Sequence, residues 1–144
     1  MHLLNYSLNN KSVLMVVLKS SLLEKFPELS FGFSTLVEKE LSPPYNFNLS
    51  LSVDDDPSRV KNNREKFYNY FGLQTSDVAT QLQVHGNRVQ IVSTAGDKGE
   101  SDGMITNKKN LGIVISSADC PAIFIYDAKN RIISGTHSGW QGKI

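Results

Sequence analysis

Apolar positions up to about residue 72 include one clear helical pattern, and beyond it they fall into short runs of strand type. The helix reads from "DDPSRVKNNREKFYNYFGL". Asp56 can cap its start, Pro57 suits the first helical position, where a missing N–H costs nothing, and Gly72 is a natural stop. Val60, Phe67 and Phe71 fall near one helical face, with Arg64 between them. Upstream, "SVLMVVLKSSLLEKF" is apolar enough for a buried element, strand or short helix, and "LSFGFST" alternates Leu29, Phe31 and Phe33 with small or polar residues as a strand does. Residues 40–56 form a long loop, because Pro43-Pro44 blocks regular structure and the Asn and Asp residues favour turns. Loops of that length are often functional. Downstream, 78–84 and 88–93 read as strands joined at "VHGNR". Residues 111–117, 122–127 and 131–137 are further strands, the last two a hairpin through "DAKN". Their near-continuous apolar runs predict strands buried on both faces. This element order gives the α+β class, and with no internal boundary residues 1–144 read as a single domain.

Composition narrows the class of partner. The formal net charge is +1, with basic and acidic residues interleaved, so no basic face for nucleic acid stands out. The apolar run Val13–Leu18 is interrupted by Lys19, is too short to span a bilayer and has no small-residue cleavage site after it, so it reads as a core strand or short helix rather than a membrane segment, with a signal peptide as the alternative. A single cysteine, Cys120, makes no internal disulfide and fits a reducing, cytoplasmic setting.

Three groups with ligand chemistry sit at strand ends or turns: His85 in "QVHGN", Cys120 in "SADCP" and His137 in "THSGW". Each lies beside glycine or proline, or one residue away, where the backbone can turn tightly. Two imidazoles and a thiolate suit zinc, and three protein ligands keep a fourth position open for water. Spacing alone leaves the alternatives open. Cys120 reads equally as a small buried hydrophobe, and each histidine as a hydrogen-bonded turn or core residue. Cys120 with either histidine also makes a nucleophile–base pair for hydrolysis. Asp119 can orient a histidine or take a proton, or simply form a turn. Asp102 in "SDGM" can hold a polar substrate group or form a plain turn, and Trp140 can stack on a planar ligand or pack.

The segments "FGFST", "YNFNLSLSVDDDPSRVKNNREKF", "QLQVHGNRV", "SDGMITN", "GIVISSADCPAIFIYD" and "GTHSGWQG" resemble, in this order, the laccase-domain or multicopper polyphenol oxidase family. Its members are described as purine nucleoside phosphorylases with adenosine deaminase activity, and one bacterial branch as peptidoglycan editing factor. The resemblance covers roughly residues 30–144. It implies mixed β-sheets or a sandwich flanked by helices, similar to the catalytic domain of cytotoxic necrotizing factor. It also implies a metal site at His85, Cys120 and His137, zinc with copper as the alternative, and purine nucleosides and phosphate as substrates. Asp119 is the candidate for proton handling, and Asn48, in the long loop, for hydrogen bonding to substrate.

Two departures stand out: the family has arginine after "FST" and after "GW", where this chain has Leu36 and Gln141. Arginine is the natural bidentate phosphate ligand, and Arg88 and Lys143 are the nearby candidates to replace it. Family members continue for about another hundred residues, a domain-scale difference. The resemblance therefore implies a fold incomplete at its C-terminus, whose last strand, ending at His137, lacks a neighbour on one side and whose exposed edges invite pairing between copies. Two other readings follow, a metal-free cysteine hydrolase and an inactive partial domain that binds a partner chain.

Overall fold

The computed structural model describes residues 2–8, 11–35 and 44–139, and the chain divides into two compact units, Met1–Phe67 and Tyr68–Ile144. In the first, strands β1 (His2–Leu8), β2 (Lys11–Leu18) and β3 (Phe33–Ser34) form an antiparallel sheet in the order β1-β2-β3. The apolar run of the N-terminal region is thus a strand over Lys11–Leu18, and the alternating "LSFGFST" pairs only at Phe33 and Ser34.

Helix α1 (Pro57–Asn69) begins as the sequence dictates. Asp56 takes the Ser58 N–H on its carboxylate at 2.9 Å, and its carbonyl accepts the first helical bond, from Val60 N–H at 3.0 Å. Val60 and Phe67 are buried on one side, and Gly72, at φ +72, ends the segment. The polar residues of the helix organise the preceding loop. Buried Asn63 donates to the Asn48 carbonyl at 3.0 Å and Arg64 Nε to the Leu49 carbonyl at 2.7 Å. Asp55 accepts from Arg59 and, at 3.0 Å, from the Asn48 amide. Desolvation raises the Asp55 pKa, but the bonds from Arg59, Asn48 and the Asp56 N–H outweigh it and hold the carboxyl below its ordinary range.

The described residues of the second unit form two sheets. One, in the order β6-β4-β8, is parallel and joins β6 (Gly96–Glu100), β4 (Val78–Leu82) and β8 (Gly112–Ile113). The other, in the order β5-β7-β10-β9, joins β5 (Val89–Ile91), β7 (Gly103–Thr106), β10 (Ile132–His137) and β9 (Ala122–Asp127). Here β10 pairs antiparallel with both β7 and β9, while β5 runs parallel to β7. The core holds Ala79 of β4, Met104 of β7, Val92 and Ile115, with Phe124, Ile113, Leu111 and Ala122 packed against it. The α+β class holds: among the described residues there are few helices and several sheets, one antiparallel, one parallel and one mixed.

Four expectations are corrected. Strands β4 and β5 flank the "VHGNR" turn but enter different sheets. The run at 111–117 pairs only at Gly112 and Ile113, because beyond them the Gln83 side chain replaces the ladder, donating to the Ser116 carbonyl and accepting its N–H, both at 2.7 Å. The β-runs are not buried on both faces: Ile123 and Ile125 of β9 and Val89 and Ile91 of β5 are exposed, while Met104, Gly135 and Phe124 on the alternate positions face the core. Finally, the strand ending at His137 has neighbours on both sides, and among the described residues the outer strands of its sheet are β5 and β9. Among the described residues no helix is long and apolar enough to cross a membrane.

Two expected outcomes follow. A Cβ at Gly135 would lie 2.8 Å from Ile115 Cγ1 and 3.1 Å from the Phe124 ring, so Gly135→Ala is expected to destabilise by about 1–3 kcal/mol, the usual cost of overpacking, in urea denaturation. Because the folded Asp55 pKa is lowered, its stabilising bonds are present above the ordinary carboxylate pKa and are lost as pH falls through the lowered value. Carboxyl NMR titration is expected to place the Asp55 midpoint below the usual range, and to find it raised in Arg59→Ala.

Candidate metal centre

The centre is built at one end of the β5-β7-β10-β9 sheet, and strand register brings its parts together. Thr136 of β10 faces Gly103 of β7 and Ile123 of β9, and His137 faces Ala122. One step on, the His137 N–H donates to the Asp102 carbonyl at 2.7 Å and the Ser138 N–H to the Pro121 carbonyl at 2.8 Å. Asp102 and Cys120 are therefore held beside His137 by main-chain bonds. Asp102, just before β7, is buried, as are Met104 and Thr106 two and four positions on, and in β10 Gly135 and His137 are the buried positions. The Asp102 N–H donates to the Arg88 carbonyl at 2.9 Å, which ties the start of β5, and the loop before it, to the same end.

That loop presents His85. Its φ of +60 lies in the left-handed region, at a cost of roughly 1–2 kcal/mol for a residue with a Cβ. The Val84, His85 and Gly86 N–H groups all donate to the Asp102 carboxylate, at 3.2, 3.0 and 2.7 Å. Gly139 packs against the same histidine, and a Cβ there would come within 3.1 Å of His85 Cα and 2.9 Å of its ring. This is the close approach for which the sequence supplies glycine beside its ligand candidates. Around Cys120, Ser117 donates its hydroxyl to the Cys120 carbonyl.

His85, Cys120 and His137 converge, each offering a ligand atom within 4.8 Å of the other two. The imidazole rings meet edge to face, with centroids 4.7 Å apart. His137 is buried and His85 exposed, so the group is walled on one side and open on the other. A tetrahedral zinc with bonds of about 2.0–2.3 Å holds its donors roughly 3.3–3.8 Å apart, a small adjustment from this arrangement. Two imidazole nitrogens and a thiolate are also the donor set that borderline-soft zinc or copper selects. The residues fit a metal ion, and among the described residues they are the one such group.

Asp102 completes the site. It is 1% exposed and its Oδ1 lies 2.8 Å from His137 Nδ1. Desolvation pushes its pKa up, but the His137 contact and three backbone N–H groups outweigh this and leave it lowered, so the carboxyl is an anion at neutral pH. A cavity of about 250 Å³ opens beside the two, lined by Arg88, Val89, Ile123 and Thr136 among others. Asp119 is exposed next to Cys120. Asn48 belongs to the first unit, where its amide donates to the Ser50 carbonyl and Asp55 and accepts the Ser50 N–H. Leu36, Trp140, Gln141 and Lys143 lie outside the described residues.

The sequence pattern of the family described as multi-copper polyphenol oxidoreductase laccase matches residues 31–144. Purine nucleoside phosphorylase YlmD of Bacillus subtilis is 30% identical over 96% of the chain and 54% of its own length. A purine nucleoside phosphorylase of Mycobacterium bovis is 36% identical over 70% of the chain and 42% of its own. Among solved structures, the hypothetical protein YfiH of Bacillus licheniformis superposes with a TM-score of 0.70 at 29% identity, covering 77% of the chain and 46% of that protein. YlmD of Geobacillus stearothermophilus superposes with a TM-score of 0.67 at 26% identity, covering 77% and 45%. The chain thus spans about half the length of the curated relatives it matches.

Gly139→Ala is expected to displace His85 by a few tenths of an ångström and to weaken binding of a metal ion at this group, with zinc as the probe, while the sheet stays intact. Zinc titration calorimetry, with far-UV circular dichroism as the fold control, checks this.

Proposed function

This chain belongs to the multi-copper polyphenol oxidoreductase laccase family, and from that premise we propose that it serves a zinc-dependent, cytoplasmic purine nucleoside phosphorylase that also deaminates adenosine. The observation that carries the reading is the convergence of His85, Cys120 and His137 from three separate segments onto one point. The names of the relatives supply the substrate class. Among the described residues one such group does not make the several-copper centre that polyphenol oxidation by a laccase requires, so the proposed metal is assigned to nucleoside chemistry.

Phosphorolysis breaks the bond between the ribose anomeric carbon and the purine nitrogen and forms one to a phosphate oxygen, and the departing base must gain a proton. His85, Cys120 and His137 would hold the metal, which would supply positive charge to polarise a substrate atom and to acidify water. The cavity beside His137 takes the substrate, with Val89 and Ile123 as apolar wall and Arg88 as the cationic group on offer to phosphate. Asp119, exposed and adjacent to Cys120, is assigned to proton relay: as a carboxylate it takes a proton from the attacking water and passes it to the amino group that leaves C6 as ammonia, or takes one from acidic phosphate or solvent and passes it to the departing base. Asn48, in the long loop, is the candidate for hydrogen bonding to substrate.

Cys120, His137 and Asp102 also have the order of a nucleophile, a base and the group that orients it, which favours metal-free cysteine hydrolysis as a second reading. One experiment separates the two. Purified chain is assayed for metal content and for release of purine from inosine and adenosine with phosphate, before and after chelation. About one zinc per chain, turnover lost on chelation and restored by zinc, and metal lost in Cys120→Ala are the expected results. Full metal retention in the variant contradicts the metal reading. Hydrolysis that survives chelation and is abolished by alkylation of Cys120 favours the second reading.

A further inference from the structure

We propose that Asp102 is the positioning residue of this centre, setting both histidines with one carboxylate. The inference rests on the metal reading of the site. Each carboxylate oxygen serves two partners: Oδ1 takes His137 Nδ1 at 2.8 Å and the His85 N–H at 3.0 Å, and Oδ2 takes the Gly86 N–H at 2.7 Å and the Val84 N–H at 3.2 Å. Three fixed backbone donors on these two oxygens leave the carboxylate as acceptor only. The hydrogen of a neutral His137 therefore resides on Nδ1, and the lone pair on Nε2, the nitrogen free to ligate. The same two oxygens clamp three successive N–H groups of the loop that carries His85 and hold that residue in its left-handed conformation. Asp102 itself is fixed through its main chain, bonded to Arg88 on one side and His137 on the other. It touches neither Cys120 nor the open side of the group through any of these bonds, so its action on the centre is indirect, through the two imidazoles.

An amide cannot do both jobs. In Asp102→Asn one end accepts and the other donates. If its oxygen stays with His137 and His85, its NH2 faces the N–H groups of Val84 and Gly86 and the loop is released. If it flips, the NH2 faces His137 Nδ1 and forces the hydrogen to Nε2, away from the ligating arrangement. Either way zinc affinity is expected to fall about 10–100-fold, as loss of a carboxylate partner to a ligating histidine does elsewhere.

The test uses the full chain at mildly alkaline pH. Long-range 15N NMR of metal-free protein reads the His137 tautomer, and titration against a chromophoric chelator reads zinc affinity in wild type and Asp102→Asn, with thermal melting of the metal-free forms as the fold control. The expected results are an Nδ1–H tautomer of His137 in wild type, and a 10–100-fold weaker zinc site in the folded variant. An Nε2–H tautomer in wild type overturns the proposal, as does wild-type zinc affinity in the variant. If the variant does not fold, the wild-type tautomer decides alone. If wild type binds no zinc, the metal reading fails, and the tautomer still decides whether Asp102 orients His137.

Discussion

The register of β10 between β7 and β9 is the constraint on which the rest of the site depends. It sets His137 opposite Ala122, next to Asp102 on one side and the Pro121–Cys120 turn on the other. Because side chains alternate along a strand, a slip of one residue would turn His137 to the exposed face and replace it with Thr136 or Ser138. The register is locked by the core. Gly135 is the one residue that fits where Ile115 and the Phe124 ring close in, and Met104 is fully buried beside it. Packing at mid-sheet therefore determines chemistry at its end.

The fourth contributor, His85, arrives differently. It sits on a loop between strands of different sheets, so no ladder fixes it. Its place comes from the Asp102 carboxylate below and from Gly139 against its ring. A strained residue held by a buried anion and by close backbone contact is stable only while those neighbours are present. This explains why an exposed histidine can nevertheless be aimed at a buried one.

Local signals were legible where the sequence acts locally. Asp56-Pro57 and Gly72 bounded the helix, and "DAKN" joined β9 to β10, because caps and short turns are decided by neighbours in sequence. Partner choice was not legible: β4 and β5 look like a pair but part, and the run after Ile113 loses its ladder to the Gln83 side chain. The three ligand candidates stand 35 and 17 positions apart, so spacing left them open and the family resemblance joined them. Asp102 read as a plain turn former or a substrate contact. Nothing local in "SDGMIT" marked its real place, since Ser101, Asp102, Gly103 and Met104 are buried in succession and the carboxylate's partners come from a loop and a strand distant in sequence. Asn63 and Arg64 were missed as organisers of the long loop, since a polar residue on a helix gives no sign of the carbonyl it will find.

In the proposed function, Val89 and Ile123 wall the substrate cavity and Arg88 gives it a cation, beside a ligand group open on one side. All of this depends on an ion bound by two histidines and one cysteine. X-ray absorption at the zinc edge of the zinc-loaded chain measures that directly. The expected spectrum has one sulfur at about 2.3 Å and nitrogen or oxygen neighbours at about 2.0–2.1 Å, with imidazole scattering beyond them. A shell of nitrogen and oxygen alone, with no sulfur, would contradict it.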